Sequence, residues 1–197
     1  MEHYLVESSP AVANGIVYIG SGDNYVYAFA TEAMVDAPYA ISSAQSAINS
    51  ANNMDADTSH SQQLLQKAQN AYKNNQYQNA TNYAKQAEES ANVSINIIQA
   101  KSAINSANSI GADTSHSNQL LQKAQNALKN GKYSDAINYA EQAKESANNA
   151  KTTRYIQYAF AIILFVFIAF GYIKATEKIR EQKRIAREFQ RRFKEHL

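Results

Sequence analysis

Four patterns of apolar and polar positions succeed one another along the chain. Between Pro10 and Phe29 the apolar residues form short β-branched and aromatic runs, Ile16-Val17-Tyr18-Ile19 and Tyr25-Val26-Tyr27-Ala28-Phe29, broken at Asn14-Gly15 and Ser21-Gly22-Asp23-Asn24. Runs of this length between turn residues read as the strands of a meander, and Asn-Gly is a type I′ hairpin signal. From Leu64 to Ala143 the apolar residues instead recur at i, i+3, i+4 and i+7, which is the spacing of a helix face. From Tyr155 to Ile173 there is no charge, and only Gln157 is strongly polar. In the last stretch Ile185, Phe189, Phe193 and Leu197 recur every fourth residue among basic side chains. The expected fold is mainly α with a small N-terminal β-meander: tandem helical-hairpin repeats followed by one transmembrane helix. The corresponding boundaries are 1–33 for the meander, 34–150 for the repeats, 151–173 for the span and 174–197 for a basic tail helix.

The helical region is internally duplicated. Residues 47–92 and 103–148 align with an offset of 56, and roughly three positions in four are identical. The differences respect structure: Met54 becomes Ile110, Tyr72 becomes Leu128 and Asn75 becomes Gly131. In the first copy Leu64, Ala68, Ala71 and Tyr72 mark one helix face, and Tyr77, Ala80, Tyr83, Ala84, Ala87 and Ala91 mark the next. In the second copy the faces are Leu120, Leu121, Ala124 and Leu128, then Tyr133, Ala136, Tyr139, Ala140 and Ala143. Small Ala residues let the helices approach closely, with Tyr and Leu expected to fill the gaps. No breaker lies between Ala91 and Ser109, so one helix is expected from Tyr77 to Ser109. Another, beginning at Tyr133, is expected to run into the membrane segment. The repeated Asp-Thr-Ser-His marks a helix start, with Asp57 or Thr58, and Asp113 or Thr114, as N-caps. A metal site at Asp55, Asp57 and His60 is disfavoured, because Gly111 replaces Asp55 in the second copy and no calcium-loop spacing follows. That leaves His60 and His116 as exposed first-turn residues.

The apolar run is about 20 residues long, enough to cross a hydrocarbon core of about 30 Å as a helix. It is too long, and too uniformly apolar, for an ordinary buried helix. Tyr155, Tyr158 and Tyr172 near its ends suit the headgroup level. Its flanks are unequal. Lys174, Lys178, Arg180, Arg184, Arg187, Arg191 and Arg192 follow it, whereas only Lys144, Lys151 and Arg154 closely precede it. The positive-inside bias puts the tail in the cytoplasm and everything before Thr152 outside. Those seven basic residues are the expected contacts with an anionic membrane surface. The start of the chain lacks a basic n-region and an apolar h-region, so either the span directs export or a leader precedes Met1. Asn79-Ala80-Thr81 and Asn92-Val93-Ser94 are sequons on the external side, making Asn79 and Asn92 candidate glycosylation sites.

Within the first thirty residues Ser9, Pro10, Val12, Gly15, Val17, Tyr18, Gly20, Ser21, Asp23, Tyr27 and Ala28 match the pattern S-P-x-V-x-x-G-x-V-Y-x-G-S-x-D-x-x-x-Y-A. In this the segment resembles a single blade of the pyrroloquinoline-quinone-type β-propeller family. The chain departs from that family after Ala30: the usual Asp-x-x-Thr-Gly turn and Trp are missing. Propellers close with about four to eight blades, so the resemblance implies the last blade, or a remnant, of a larger head. No quinone-binding residue carries over. The Gly131-to-Ala143 segment resembles the turn and second helix of tetratricopeptide-type hairpins, although the period of 56 differs from theirs. Blade, helical repeats and span together resemble surface proteins of archaea, particularly methanogens.

Charge and composition narrow the function. With 19 Lys+Arg against 17 Asp+Glu the net charge is +2, which speaks against a nucleic-acid partner. There is no Cys, which excludes a disulfide scaffold and thiol chemistry. No nucleophile–base pair, phosphate-binding loop or carboxylate dyad is evident, and neither a catalytic residue nor a cofactor or metal is expected. The leading expectation is a non-catalytic surface protein, its helical repeats forming a stalk between the bilayer and a propeller-type head. The repeats would be free to meet other surface proteins. A tetratricopeptide-like binding module, or a fragment of a quinone-dependent propeller enzyme, are the alternatives.

Overall fold

A computed structural model describes residues 9–13 and 15–195, with side chains through Arg192. Asn14, the side chain of Phe193, Leu197 and the segment 1–8 lie outside the described residues. The architecture is mainly helical with a small antiparallel N-terminal sheet, and the elements follow the hydrophobic pattern.

Strands β1 (Ala11–Ala13), β2 (Ile16–Gly20) and β3 (Val26–Phe29) form a meander in that spatial order. Val12 faces Val17, and Ile19 faces Tyr27. Gly15 closes the first hairpin with φ of +80°, a conformation that costs glycine little. In the second turn Asp23 Oδ1 accepts from the Tyr25 amide at 3.0 Å, and Tyr27 Oη donates to Asp23 Oδ2 at 2.6 Å. β2 is half-buried between its neighbours, while β3 is exposed, with Val26 72% and Phe29 55% accessible. The sheet meets the helices at its first turn, where a Cβ on Gly15 would sit 3.8 Å from Met34 Sδ and 4.0 Å from Tyr77 Oη.

Five helices follow: α1 (Glu32–Asn52), α2 (Ser59–Lys73), α3 (Tyr77–Asn108), α4 (Ser115–Lys129) and α5 (Tyr133–Glu195). The continuous helix expected from Tyr77 is α3, and α5 joins the last repeat arm to the apolar run without a break. Each repeat is larger than a hairpin. α1 packs on α2 and on the first half of α3, and the second half of α3 packs on α4 and α5. Two up-down-up three-helix bundles therefore share α3. Lys144 Nζ donates to Gln99 Oε1 and Lys151 Nζ to Ser106 Oγ, both 45 positions apart, whereas the repeat is 56. The second bundle is thus advanced by 11 residues, about 17 Å along the axis.

The cores are seams of small residues. Ala80, Ala84, Ala87 and Ala91 on α3, and Ala136, Ala140, Ala143 and Ala147 on α5, are fully buried at alternating spacings of four and three. They oppose Leu64 and Ala68 on α2 in the first bundle and Leu120 and Ala124 on α4 in the second. Such a repeat keeps one stripe facing the partner along its whole length, and Ala lets the backbones close up. The expected filling by Tyr is corrected here. Tyr77, Tyr83, Tyr133 and Tyr139 are half-buried and flank the seams, because helices this close leave no room for a ring between them. Ile48 and Val93 are the largest side chains fully buried among the described residues.

Candidate functional site

The end of each bundle nearer the apolar run is built by the turn between two helices, and the two ends share one framework. Asp57 Oδ1 accepts from the Ser59 amide at 3.0 Å and from its hydroxyl at 2.7 Å; Asp113 and Ser115 repeat this at 2.9 and 2.7 Å. Of the two cap candidates in each copy, the Asp therefore takes the helix amide. The Thr instead donates backward, Thr58 Oγ1 to Asn52 Oδ1 and Thr114 Oγ1 to Asn108 Oδ1. A hydrogen bond from the Ser59 hydroxyl, then one from its amide, holds the Asp57 carboxyl below its ordinary value, and nearby Lys101 adds to this against a small opposing cost of burial. Ser115 lowers Asp113 in the same way. Deeper in, Ser61 Oγ donates to Ser90 Oγ and Ser117 Oγ to Ser146 Oγ, both at 2.9 Å, joining the second helix of each bundle to the third.

The surroundings of the two ends differ. In the first copy a cavity of about 630 Å³ lies between the bundles, lined by His60, Asp57, Lys101, Ile97, Leu128 and Lys129 among others. His60 is half-buried rather than exposed, because the advanced second bundle brings Tyr133 alongside it, with the Tyr133 hydroxyl 3.5 Å from His60 Nε2. Burial pushes the Tyr133 phenol up, helped by Glu89. His116, with no third bundle beside it, is exposed. Asp55 lines the same cavity, but among the described residues no cluster of three His, Asp or Glu side chains is placed to hold a metal ion.

In the second copy the corresponding turn lies against the start of the apolar run. Tyr158 Oη donates to the Ile110 carbonyl at 2.8 Å, and Arg154 Nε reaches the same oxygen at 3.4 Å. Arg154 Nη1 donates to Gln157 Oε1 at 3.1 Å, and the guanidinium stacks 4.8 Å from the Tyr158 ring centroid. Gly111 takes φ of +70°, and a Cβ there would lie 3.5 Å from Arg154 Nη2. This clamp was not foreseen from the sequence. The replacement of Ile98 by Arg154 and of Ser102 by Tyr158 at the repeat offset is the signal that could have found it.

Beyond the clamp, α5 carries an exposed apolar surface from Tyr155 to Ile173. It is the one helix among the described residues long and apolar enough to cross a membrane, with a window of mean hydropathy 2.3 and none of that window buried. The basic residues of the tail follow on the same helix. Lys174 pairs with Glu177 at 3.7 Å and lies over the Phe170 ring. Arg180, Arg184, Arg187 and Arg191, at i, i+4, i+7 and i+11, share one face, while Ile185, Ala186 and Phe189 line a shallow apolar strip elsewhere on the helix. Lys174 and Lys178 stand within about two turns of the apolar run, whereas Arg192 lies about 28 Å past Ile173 along an unbroken helix. The sequon residues Asn79 and Asn92 are exposed on α3. Thr81 Oγ1 donates to the Tyr77 carbonyl, and Ser94 Oγ donates to the Asp57 carbonyl at 2.6 Å.

Comparison with family models, curated proteins and solved structures found no match.

Proposed function

We propose that this chain is a non-catalytic, single-pass membrane-anchored surface protein whose paired bundles form a stalk beneath a propeller-type sheet. The observation that carries this reading is the continuity of α5, which begins in the second bundle and runs without a break through the apolar stretch into the basic tail. A continuous helix couples the anchor to the stalk without a hinge. The shared helix α3 has 32 residues, so it spans about 48 Å. The sheet touches the start of α3, and the clamp at Arg154 and Tyr158 lies near its end. The sheet would therefore stand off the bilayer by roughly the length of α3. The unequal charges on the two flanks favour an external stalk and a cytoplasmic tail. Lys174, Lys178 and Arg180 are the nearest to anionic headgroups on that side, and the resemblance to archaeal surface proteins agrees with this arrangement.

The absence of Cys allows a direct test of topology. Glu145→Cys on the stalk should react with a membrane-impermeant maleimide in intact cells, and Gln190→Cys only after permeabilisation. The reverse pattern would overturn the orientation. Labelling of both in intact cells, with the chain in the soluble fraction, would overturn the anchor.

One observation favours a second reading, that of a binding module. The cavity between the bundles combines Ile97 and Leu128 with Lys101, Lys129 and His60, a mixed lining of the kind small ligands and peptide side chains use.

A further inference from the structure

We infer that the α3–α4 turn, Ser109 to Ala112, is a second membrane contact: a foot that rests in the headgroup layer and holds the stalk upright. The inference rests on the reading of α5 as a membrane span and adds a site to it.

Three observations converge. The first is position. The turn is bonded through the Ile110 carbonyl to Arg154 and Tyr158, on either side of the first residue of the apolar run. Side chains on a helix lean toward its N-terminus. The Tyr158 hydroxyl is therefore directed out of the hydrocarbon toward the headgroup level, where tyrosines are enriched. A turn hydrogen-bonded to that hydroxyl lies at the same depth. The second is chemistry. Arg154 is half-buried, and its Nε and Nη1 engage Ile110 and Gln157. Gly111 keeps the space beside Nη2 clear of a side chain. A guanidinium held beside a bilayer rim suits a lipid phosphodiester, which Nη2 can meet with a charge-assisted hydrogen bond.

The third observation is the contrast between copies. The first-copy turn carries Met54 and Asp55, and the second carries Ile110 and Gly111. Asp55 holds φ of +56° and Gly111 holds +70°, so both turns need the same backbone conformation. The copy next to the span has no carboxylate at that position, where one would face lipid phosphates. It also has Arg154 in place of Ile98. The first-copy turn stands about 17 Å further from the span, from the stagger of the bundles.

The chain has no Trp, so single-Trp variants of the full chain give unambiguous fluorescence. Ile110→Trp, Met54→Trp and Phe165→Trp would each be reconstituted into phosphatidylcholine–phosphatidylglycerol vesicles carrying either a headgroup spin label or a mid-chain brominated lipid. Ile110→Trp should lose about half its emission to the headgroup label, a two-fold effect expected of a residue at the interface. Met54→Trp should keep its emission with both quenchers, and Phe165→Trp should be quenched by the brominated chain. Quenching of Phe165→Trp but not of Ile110→Trp would overturn the foot and leave the anchor standing. Headgroup quenching of Met54→Trp as strong as that of Ile110→Trp would mean the stalk lies flat, and would overturn the upright foot. No quenching of Phe165→Trp would overturn the anchor itself, and the foot with it.

Discussion

The two copies of the repeat are the same in their interiors and different where their neighbours differ. Each has an Ala seam on its third helix, a Ser–Ser hydrogen bond between second and third helices, a Thr–Asn bond across the turn and an Asp cap. At the turn, however, Asp55 of the first copy faces a cavity of mixed lining, while Gly111 of the second faces Arg154 and Tyr158 beside the apolar run. The packing rules are common to both copies and fix the bundle. The exposed positions answer to whatever lies beyond it, which is a second bundle in one case and the start of the apolar run in the other. A duplicated unit is thus its own control: what both copies hold in common serves the bundle, and what they do not share marks the local task.

If the seams are equivalent, overfilling them should do equal harm. Ala87 and Ala143 are repeat partners, and both are fully buried. Extra methylenes in so tight a contact force neighbouring helices apart, at a typical cost of about 1–3 kcal/mol. Ala87→Leu and Ala143→Leu should each lower stability by that order, measured by denaturant unfolding of the full chain in detergent. A large loss at one site and none at the other would show that the two bundles are not packed alike.

The hydroxyl pairs sharpen the comparison further. Ser61, Ser90 and Ser117 are almost wholly buried, but Ser146 is half-buried. Removing one partner leaves the other hydroxyl without its bond, which costs about 1–3 kcal/mol when water cannot replace it. Ser61→Ala, which leaves buried Ser90 without its partner, should therefore destabilise more than Ser117→Ala, which leaves Ser146 where solvent can reach it. The double variant Ser61→Ala/Ser90→Ala should recover much of the loss, since no polar group is then left without a partner. Equal losses at Ser61 and Ser117 would show that water does not compensate at the second pair.

Much of this was legible in the sequence because the signals were local or repeated. The period of helix faces located α2 to α5, the absence of a breaker between Ala91 and Ser109 gave α3 its length, and the turn residues placed all three strands. The start of α1 was hidden because Pro38 lies inside it and interrupts the helical pattern before the duplicated segment begins. The first helix of each bundle was missed for a related reason. α3 serves both copies, so a repeat unit cut at the sequence boundaries shows only a hairpin. The half-burial of His60 depends on the stagger between bundles, and a stagger of packed helices leaves no mark on the spacing within either copy. The Arg154–Tyr158 clamp also joins residues 44 and 48 positions away from Ile110. Only the comparison of copies, position by position, points to it.

The smallest expected difference lies in the two caps. The Ser59 hydroxyl and amide hold the Asp57 carboxyl below its ordinary value of 3.8, and Lys101 adds a favourable charge nearby. Ser115 does the same for Asp113, but Gln157 occupies the repeat position of Lys101, and no cation assists. A carboxyl whose folded pKa is depressed contributes stability that is present above its unfolded value. That stability is lost as the pH falls through the lower, folded value. Both caps should accordingly weaken on acidification below 3.8, loosening the first turns of α2 and α4. Lys101→Met should raise the Asp57 midpoint, bringing its loss to a higher pH, and leave the Asp113 midpoint where it was. Carboxyl carbon shifts followed through an acid titration would read both sites in one sample. A shift at Asp113 as large as that at Asp57 would mean that the charge acts across both bundles, and that the two turns are not electrically separate.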